Sequence, residues 1–355
     1  MPRFAIAAAL VLAACSTGNI DTSPSPLPAP QQSANRWNRP AAGDTMAEAM
    51  LLDSLESISP DSEMPALTLE EVAGPSWDIN VEGFAGHPRV QYYIDFFTGR
   101  GRNGFQSWLD RMPRYESYAR ERFAEQGLPG DLVYLALIES GFSPVAVSRV
   151  RAVGMWQFMQ ATGRGYGLRV DAWVDERRDP IKSTDAAARH LKDLTDRFGS
   201  HFLAAAAYNG GAGRVGRGLT RITALAGSGD EQVDPSSDEM FFELAQTPHL
   251  FQETKDYVPK LIAAALIAKD PERYDFVMPD SVEPFPLDSV MVDGSTGLDL
   301  IAKLAKVKVE EIGALNPHIL RGYTPPGGRY PVRVPSGTAS AISAAYAAIP
   351  ASERV

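Results

Sequence analysis

Apolar residues recur at helical spacing through the centre of this 355-residue chain, from Pro88 to Lys269. Alternating strand-like runs are scarce there, and the breaks fall at glycines and prolines, which commonly end helices. The pattern predicts a mainly α-helical globular domain. Its predicted helices span residues 89–98, 103–111, 114–126, 129–140, 154–163, 182–198, 201–208, 238–246 and 253–269. The stretch from Gly218 to Asp238, rich in Gly, Ser and Asp, is predicted to be a surface loop.

One acid, Glu139, stands at the end of an apolar predicted helix. Residues 132–138 are apolar on nearly every helical face, so the helix is expected to be buried throughout. Burial disfavours the charged form of a carboxyl group and raises its pKa, which suits a general acid near neutral pH. A polar, glycine-containing turn follows. Glu139 is therefore the candidate catalytic residue, and the alternative from the local pattern is a solvated glutamate at a helix end.

Charge and residue usage argue against several classes of partner. A net charge of -10 and a pI near 5.1 argue against a nucleic-acid partner, because phosphate binding needs a surplus of Lys and Arg. The five histidines have no metal-ligand spacing, and one cysteine cannot build a thiolate zinc site. Gly211, Gly213 and Gly216 fit GxGxxG, but a predicted helix precedes them where a dinucleotide site needs a strand. Neither a metal nor a cofactor is predicted.

The first residues have the pattern of an export signal. Arg3 precedes an apolar run from Phe4 to Ala14, which is too short to cross a bilayer but suits a signal peptide. The ending before Cys15 resembles a bacterial lipobox, so residues 1–14 are predicted to be removed and Cys15 to carry lipid. The alternative is a buried cysteine, since a single cysteine forms no internal disulfide. By resemblance to known sorting signals, Ser16 in place of Asp predicts the outer membrane, with the lipid in its inner leaflet.

Residues 15–80 are predicted to form a linker rich in proline and serine that holds the following domain away from the membrane. Prolines at alternate positions between Pro24 and Pro30 favour an extended, semi-rigid chain.

Four separated segments together resemble the lytic murein transglycosylases. The residues that carry the resemblance, in chain order, are Glu139, Ser140, Phe142, Pro144 and Ser148; Gly154, Met155, Trp156, Gln157 and Met159; Ala207, Tyr208, Asn209 and Gly210; and Glu253, Thr254, Tyr257 and Val258. Their order and spacing match the family. Upstream residues are similar to a lipoprotein subgroup that carries LysM modules.

The resemblance implies a lysozyme-like fold of the goose-type or SLT kind over residues 81–275. It also implies cleavage of peptidoglycan between MurNAc and GlcNAc without water, which leaves a 1,6-anhydro-MurNAc end. One acid then suffices, because Glu139 first donates a proton and later accepts one. For substrate binding, the resemblance implies that Ser148 lies near the acetamido group and that Gln157 binds sugar. It also implies that Met155 and Met159, counted among the substrate-binding residues, line the cleft or else pack the helix. It further implies that Tyr208 faces the catalytic carboxyl group, that Asn209 fixes its turn and that Tyr257 belongs to the last motif.

A smaller module follows a linker at residues 276–288. Residues 289–336 have a pattern of strand, two helices and strand, and they resemble a LysM repeat, a βααβ module that recognises GlcNAc. Gly294 to Gly297 replace the usual opening of that repeat. The alternative is therefore a structural cap, since a domain of this size is marginally stable alone. Residues 337–355 form an alanine-rich tail with helical character.

Two other functions remain open from the sequence. A hydrolase similar to goose-type lysozyme would use the same acid with water. A non-catalytic scaffold would hold peptidoglycan strands in the same cleft, although the retention of Glu139, Tyr208 and Asn209 speaks against it.

Overall fold

The computed structural model describes residues 76–226 and 234–354. The predicted signal peptide, Cys15, most of the linker and part of the predicted loop at 218–238 lie outside these residues. The α-helices of the first domain are Pro88–Thr98, Arg102–Arg111, Pro113–Glu125, Tyr134–Ser140, Gln160–Gly165, Pro180–Phe198, His201–Gly210, Ala212–Ala226, Glu239–Ala245 and Gln252–Lys269. Short 3-10 helices include Glu82–Phe84, Gly130–Val133, Glu176–Arg178 and Glu272–Tyr274.

The helix Gln252–Lys269 lies at the centre of the first domain. It packs against Pro88–Thr98, His201–Gly210 and Tyr134–Ser140, and it is buried around most of its circumference. Such a helix belongs in a core because it has no polar face to offer water. The central position brings three separate parts of the chain against one helix.

The helix Tyr134–Ser140, called the acid helix below, ends in a turn that only glycine fits. Gly141 has a φ of 56°, and its N–H donates to the Leu137 carbonyl oxygen. A Cβ atom there would lie 2.0 Å from the Trp108 ring. Residues 132–138 are all 7% exposed or less, which confirms the predicted burial. Burial and the glycine turn together fix where the helix ends and where Glu139 lies.

The second domain has the predicted order of strand, two helices and strand. The strands Ser289–Val292 and Tyr330–Arg333 pair antiparallel, and the helices Leu298–Ala305 and Val309–Leu315 lie between them in sequence. The tail forms a further helix, Ala339–Ala348, that packs against the first strand. Alternate strand residues face inward, as expected for a sheet with one buried side.

The structure differs from the predicted elements in two places. The predicted helix 154–163 is wrong at its start, because the helix there is Gln160–Gly165. Gly154 and Gln157 have φ values of 85° and 45°, which lie in the left-handed region and interrupt a right-handed helix. The predicted loop is wrong over residues 218–226, which belong to the helix Ala212–Ala226. None of the described helices has the length and apolar character needed to cross a membrane.

Candidate active site

Glu139 lies in the last turn of the acid helix and faces the central helix. The hydroxyl group of Tyr257 donates a hydrogen bond of 2.5 Å to Glu139 Oε1, across 118 positions of the chain. Tyr257 is 4% exposed, whereas Glu139 is half-buried. The carboxyl group is therefore held from the protein side while part of the side chain stays accessible.

Burial raises the pKa of Glu139 to about 7. The Tyr257 hydrogen bond and the positive charge of Lys260 act in the opposite direction, and the negative charge of Glu253 adds to the rise. Desolvation outweighs the hydrogen bond because a carboxylate loses much of its hydration here. A carboxyl group with this pKa can donate a proton near neutral pH and then act as a base.

Tyr208 and Asn209 lie at the end of the helix His201–Gly210, and the charge of Glu139 acts on Tyr208. The Tyr208 hydroxyl donates to the Trp156 carbonyl oxygen at 2.7 Å. Burial and the negative charge of Glu139 raise the pKa of Tyr208 well above its ordinary value. The Asn209 amide donates to Glu253 at 3.1 Å and accepts from the Thr254 hydroxyl at 2.8 Å. These bonds tie the helix end to the start of the central helix.

Residues 146–158 form a double turn beside the acid helix, called the site hairpin below. Isolated bridges pair Val153 with Val147 and with Phe158. The Ser140 hydroxyl, one residue after Glu139, donates to the Met155 carbonyl oxygen at 2.8 Å. This bond holds the hairpin against the end of the acid helix.

Four predicted binding residues lie in the site hairpin or directly after it, and they differ in their hydrogen bonds and in their exposure. The Ser148 hydroxyl accepts from the Ala152 N–H at 3.0 Å, and the half-buried Gln157 amide donates to the Gly154 carbonyl oxygen at 2.8 Å. Met159 is 46% exposed, but Met155 is 1% exposed. The structure therefore places the Met155 side chain in the hydrophobic core, which fits the packing alternative and not a position on the surface of the cleft.

A buried arginine behind the hairpin, Arg177, was not predicted from the sequence. Arg177 donates to the carbonyl oxygens of Arg151 and Phe158 at 3.1 Å and 3.0 Å, and its charge is paired with Asp175 at 2.8 Å. Gly154 lies against this arginine, since a Cβ atom there would be 1.8 Å from the Arg177 carbonyl oxygen. Charged residues in a loop ordinarily indicate solvated surface, so no sequence signal distinguished Arg177.

Lys260 and Glu253 are two further charged groups that the sequence analysis did not assign. Both lie on the central helix within four residues of Tyr257, and both act on the pKa of Glu139. Helical spacing of three or four residues from Tyr257 is a signal that could have found them. Over residues 76–226 and 234–354, no cluster of three or more His, Cys, Asp or Glu side chains is suited to a metal ion.

Two segments of the chain match known sequence families. Residues 118–227 match the sequence family described as "Transglycosylase SLT domain". Residues 286–351 match "Lytic transglycosylase MltD, LysM-like domain". The chain thus contains an SLT transglycosylase domain followed by a LysM-like domain.

Among characterised relatives, the chain is similar to membrane-bound lytic murein transglycosylase D of Escherichia coli. The two are 28% identical over 312 residues, which cover 88% of this chain and 62% of the relative's length. Peptidoglycan transglycosylase gp16 of Escherichia phage T7 is 39% identical over 105 residues, or 29% of this chain and 8% of that protein. A solved structure of an inactive mutant of lytic transglycosylase Slt from Pseudomonas aeruginosa covers 56% of this chain and 31% of that chain, with 21% identity and a TM-score of 0.36.

Proposed function

We propose that this protein is a peptidoglycan lytic transglycosylase, which cuts the β-1,4 bond between MurNAc and GlcNAc and leaves 1,6-anhydro-MurNAc ends. One observation carries the proposal. Within a chain segment that matches the SLT family, the Glu139 carboxyl group is held by Tyr257 and has its pKa raised to about 7. A group that is protonated and partly accessible near neutral pH has the properties of a general acid.

The reaction has two steps that use this one carboxyl group. Protonated Glu139 donates its proton to the glycosidic oxygen, the bond from C1 of MurNAc to that oxygen breaks, and GlcNAc leaves with a 4-hydroxyl group. The 2-acetamido oxygen of MurNAc stabilises the positive charge at C1. The Glu139 carboxylate then takes the proton of the C6 hydroxyl group as O6 bonds to C1, which restores the acid and consumes no water.

The side chains around Glu139 have distinct proposed roles. Tyr257 holds the carboxyl group and stabilises its ionised form between the steps, since a donated hydrogen bond favours a carboxylate. Tyr208 and Asn209 fix the opposite edge of the site, while Ser148 and Gln157 bind the sugar acetamido and hydroxyl groups. The accessible Met159 side chain packs against the apolar face of a sugar ring, because its flexible, polarizable thioether adapts to irregular apolar surfaces. Met155 supports the hairpin from the core.

A hydrolase is the second candidate, and Glu253 is the observation that favours it. Most glycosidases use two carboxyl groups, of which the second activates water or forms a covalent bond. Glu253 is exposed, and its negative charge acts on Glu139. Its hydrogen bond with Asn209 favours a structural role, because that bond directs the carboxylate toward a protein amide.

Digestion of purified sacculi separates these functions from each other and from a non-catalytic scaffold. The full chain is incubated with sacculi, and the soluble muropeptides are examined by mass spectrometry. We expect ends one water lighter than reducing ends, and their loss in Glu139→Gln. Reducing ends would support the hydrolase instead, and binding without any soluble product would support the scaffold. Glu243→Gln, at an exposed glutamate of the helix Glu239–Ala245, is the matched control and should keep wild-type activity.

We further propose that the protein is a periplasmic lipoprotein anchored by Cys15. The apolar run before Cys15 supports this, and a curated relative is named as membrane-bound. The residue after the cysteine, Ser16, favours the outer membrane. Membrane fractionation tests both points. Cys15→Ser should move the protein to the soluble fraction, and Ser16→Asp should move it to the inner membrane. Outer-membrane retention of Cys15→Ser would contradict the anchor.

A further inference from the structure

A buried ion pair joins the LysM-like domain to the SLT domain. Both terminal nitrogens of Arg333 donate to the two carboxylate oxygens of Asp179, each at 2.8 Å. The side chain of Asp179 is 1% exposed and that of Arg333 is 13% exposed. Two parallel hydrogen bonds fix orientation as well as distance. Losing one partner of such a pair is costly because the other charge stays buried and uncompensated.

The contact continues along the backbone of residues 172–180, called the bridging segment below. The Asp175 N–H donates to the His318 carbonyl oxygen at 3.0 Å, and the Leu320 N–H donates to the Trp173 carbonyl oxygen at 2.9 Å. Val174 is fully buried in the hydrophobic core of the LysM-like domain. The bridging segment thus belongs to the SLT domain by sequence but is packed into the second domain.

The same segment holds the site hairpin on its other side. Arg177 lies two residues before Asp179, and its guanidinium group binds the carbonyl oxygen of Arg151 in the first turn of the hairpin and that of Phe158 at the end of the second. The backbone of Arg177 lies directly against Gly154. A continuous set of buried contacts therefore runs from Arg333 to the hairpin that flanks Glu139.

We propose that the LysM-like domain positions the site hairpin through the bridging segment, and that Arg333 is the positioning residue. Asp179 is held in place by Arg333 and by the N–H groups of Ile181 and Lys182, whose helix it caps. Fixing Asp179 fixes the carbonyl and guanidinium groups of Arg177, and these set the path of the hairpin. A module that only tethered glycan would need no such pair. The domain is a part of the active-site framework.

Amide hydrogen exchange of the full chain in detergent tests this without depending on activity. In Arg333→Met we expect peptides covering residues 146–158 to exchange about tenfold faster, a size typical of one broken coupling between contacting groups. Asp179→Asn keeps the helix cap but loses the charge, so it should act in the same direction. The double variant should exchange no faster than the more affected single variant, because both lose one interaction.

Arg329→Met is the matched control. Arg329 is an exposed arginine of the same domain that donates to the Met291 carbonyl oxygen within it, so the hairpin should exchange as in the wild type. Arg333→Lys keeps the charge without the two parallel bonds and should give an intermediate rate; if Arg333→Met fails to fold, Arg333→Lys and Asp179→Asn decide. Faster exchange in the bridging segment with an unchanged hairpin in these variants would overturn the proposal.

An activity measurement adds a second readout that rests on the proposed function. We expect kcat/KM for release of anhydro-muropeptides to fall about tenfold in Arg333→Met. The assay is run at a temperature well below the unfolding temperature of the variant. The loss should lie chiefly in kcat, since the hairpin acts on the bound sugar. If the wild-type protein releases no anhydro product, the proposed function fails, and the exchange rates still decide the positioning role. Unchanged kcat in a variant with a loosened hairpin would refute the link to the reaction.

Discussion

The two sides of the candidate site are held in place by different means. On one side, the acid helix and the central helix are regular α-helices that pack through apolar side chains. On the other side, the site hairpin has φ values of 64° at Arg151 and 45° at Gln157 and depends on hydrogen bonds from Ser140 and Arg177. The acid is thus positioned by two packed helices and the Tyr257 hydrogen bond between them, whereas the hairpin is positioned by side-chain hydrogen bonds to its backbone carbonyl oxygens.

The largest effect is expected on the helical side, from Glu139→Gln. The amide keeps the size of the side chain but can neither donate a proton as an acid nor accept one as a base, so sacculus digestion should fall by roughly 10²-fold to 10⁴-fold. Folding should be retained, which circular dichroism would check. Near wild-type release of anhydro-muropeptides by this variant would remove Glu139 from its proposed role.

On the hairpin side, Gly154→Ala should have the largest effect. The new Cβ atom would meet the Arg177 carbonyl oxygen at 1.8 Å, and the backbone there has a φ of 85°. We expect a loss of roughly 2 to 4 kcal/mol in the free energy of unfolding, measured by denaturant titration, together with lower activity. Gly165→Ala is the control, because its Cβ atom would meet nothing within 4 Å. Equal stability of the two variants would contradict the packing described for Gly154.

The pH dependence follows from the pKa of Glu139, which burial raises from 4.5 to about 7. The first step needs the protonated acid, so activity should fall up to about tenfold per pH unit above 7. The unfolded chain releases this proton near pH 4.5, whereas the folded protein keeps it up to about pH 7. Glu139 therefore makes the fold less stable as pH rises between these values. Profiles of rate against pH measure the fall in activity, and thermal unfolding at several pH values measures the loss of stability. In Glu139→Gln, the part of the stability loss that comes from Glu139 should be absent.

A smaller effect is expected from Tyr257→Phe. The substitution removes the hydrogen bond that lowers the pKa of Glu139, so the alkaline limb of the rate profile should move to higher pH. The maximal rate should fall about tenfold, because the ionised intermediate loses a hydrogen bond to a charged group. Tyr323→Phe, at a side chain with 52% exposure in the LysM-like domain, is the comparison variant. If the alkaline limb of the rate profile stayed at the same pH, the Tyr257 hydroxyl would not influence the pKa of Glu139.

The smallest effect is expected from Ser140→Ala, where the two sides meet. The Ser140 hydroxyl donates to the Met155 carbonyl oxygen at 2.8 Å and accepts from the Ser143 N–H at 3.1 Å. Its loss should cost about 1 kcal/mol, typical of a buried hydrogen bond, with activity reduced by a few-fold. Thermal unfolding and the sacculus digest would measure both. An effect as large as that of Gly154→Ala would mean that this one bond holds the hairpin.

The helical side was largely predictable from sequence, because its signals are local. Periodic apolar residues and glycine stops predicted most helices of the first domain and the buried end at Glu139. The helix Ala212–Ala226 was missed because Gly213, Gly216 and Gly218 indicate a loop by local propensity, while in the structure the helix packs against His201–Gly210. Tertiary packing overrode the weak preference of glycine for other conformations.

The hairpin side was not predictable from residue pattern. The helix predicted over residues 154–163 was wrong at its start because residues with left-handed backbone conformations interrupt it. The side chains that hold the hairpin in place are distant from one another in sequence. Asp179 and Arg333 lie 154 positions apart, and no spacing rule relates them. Ser148 and Gln157 were found through resemblance to a family, whereas Arg177, Asp179 and Arg333 carry no motif that the sequence analysis used.

Val174 has a consequence for how such chains can be recombined. Its side chain completes the core of a domain that begins more than a hundred positions later. A chimera that exchanged only the C-terminal module would leave a hole or a clash where this valine sits. Grafting should succeed when the LysM-like domain is transferred together with the bridging segment that carries Val174. Recombination of the two domains during evolution would be subject to the same restriction.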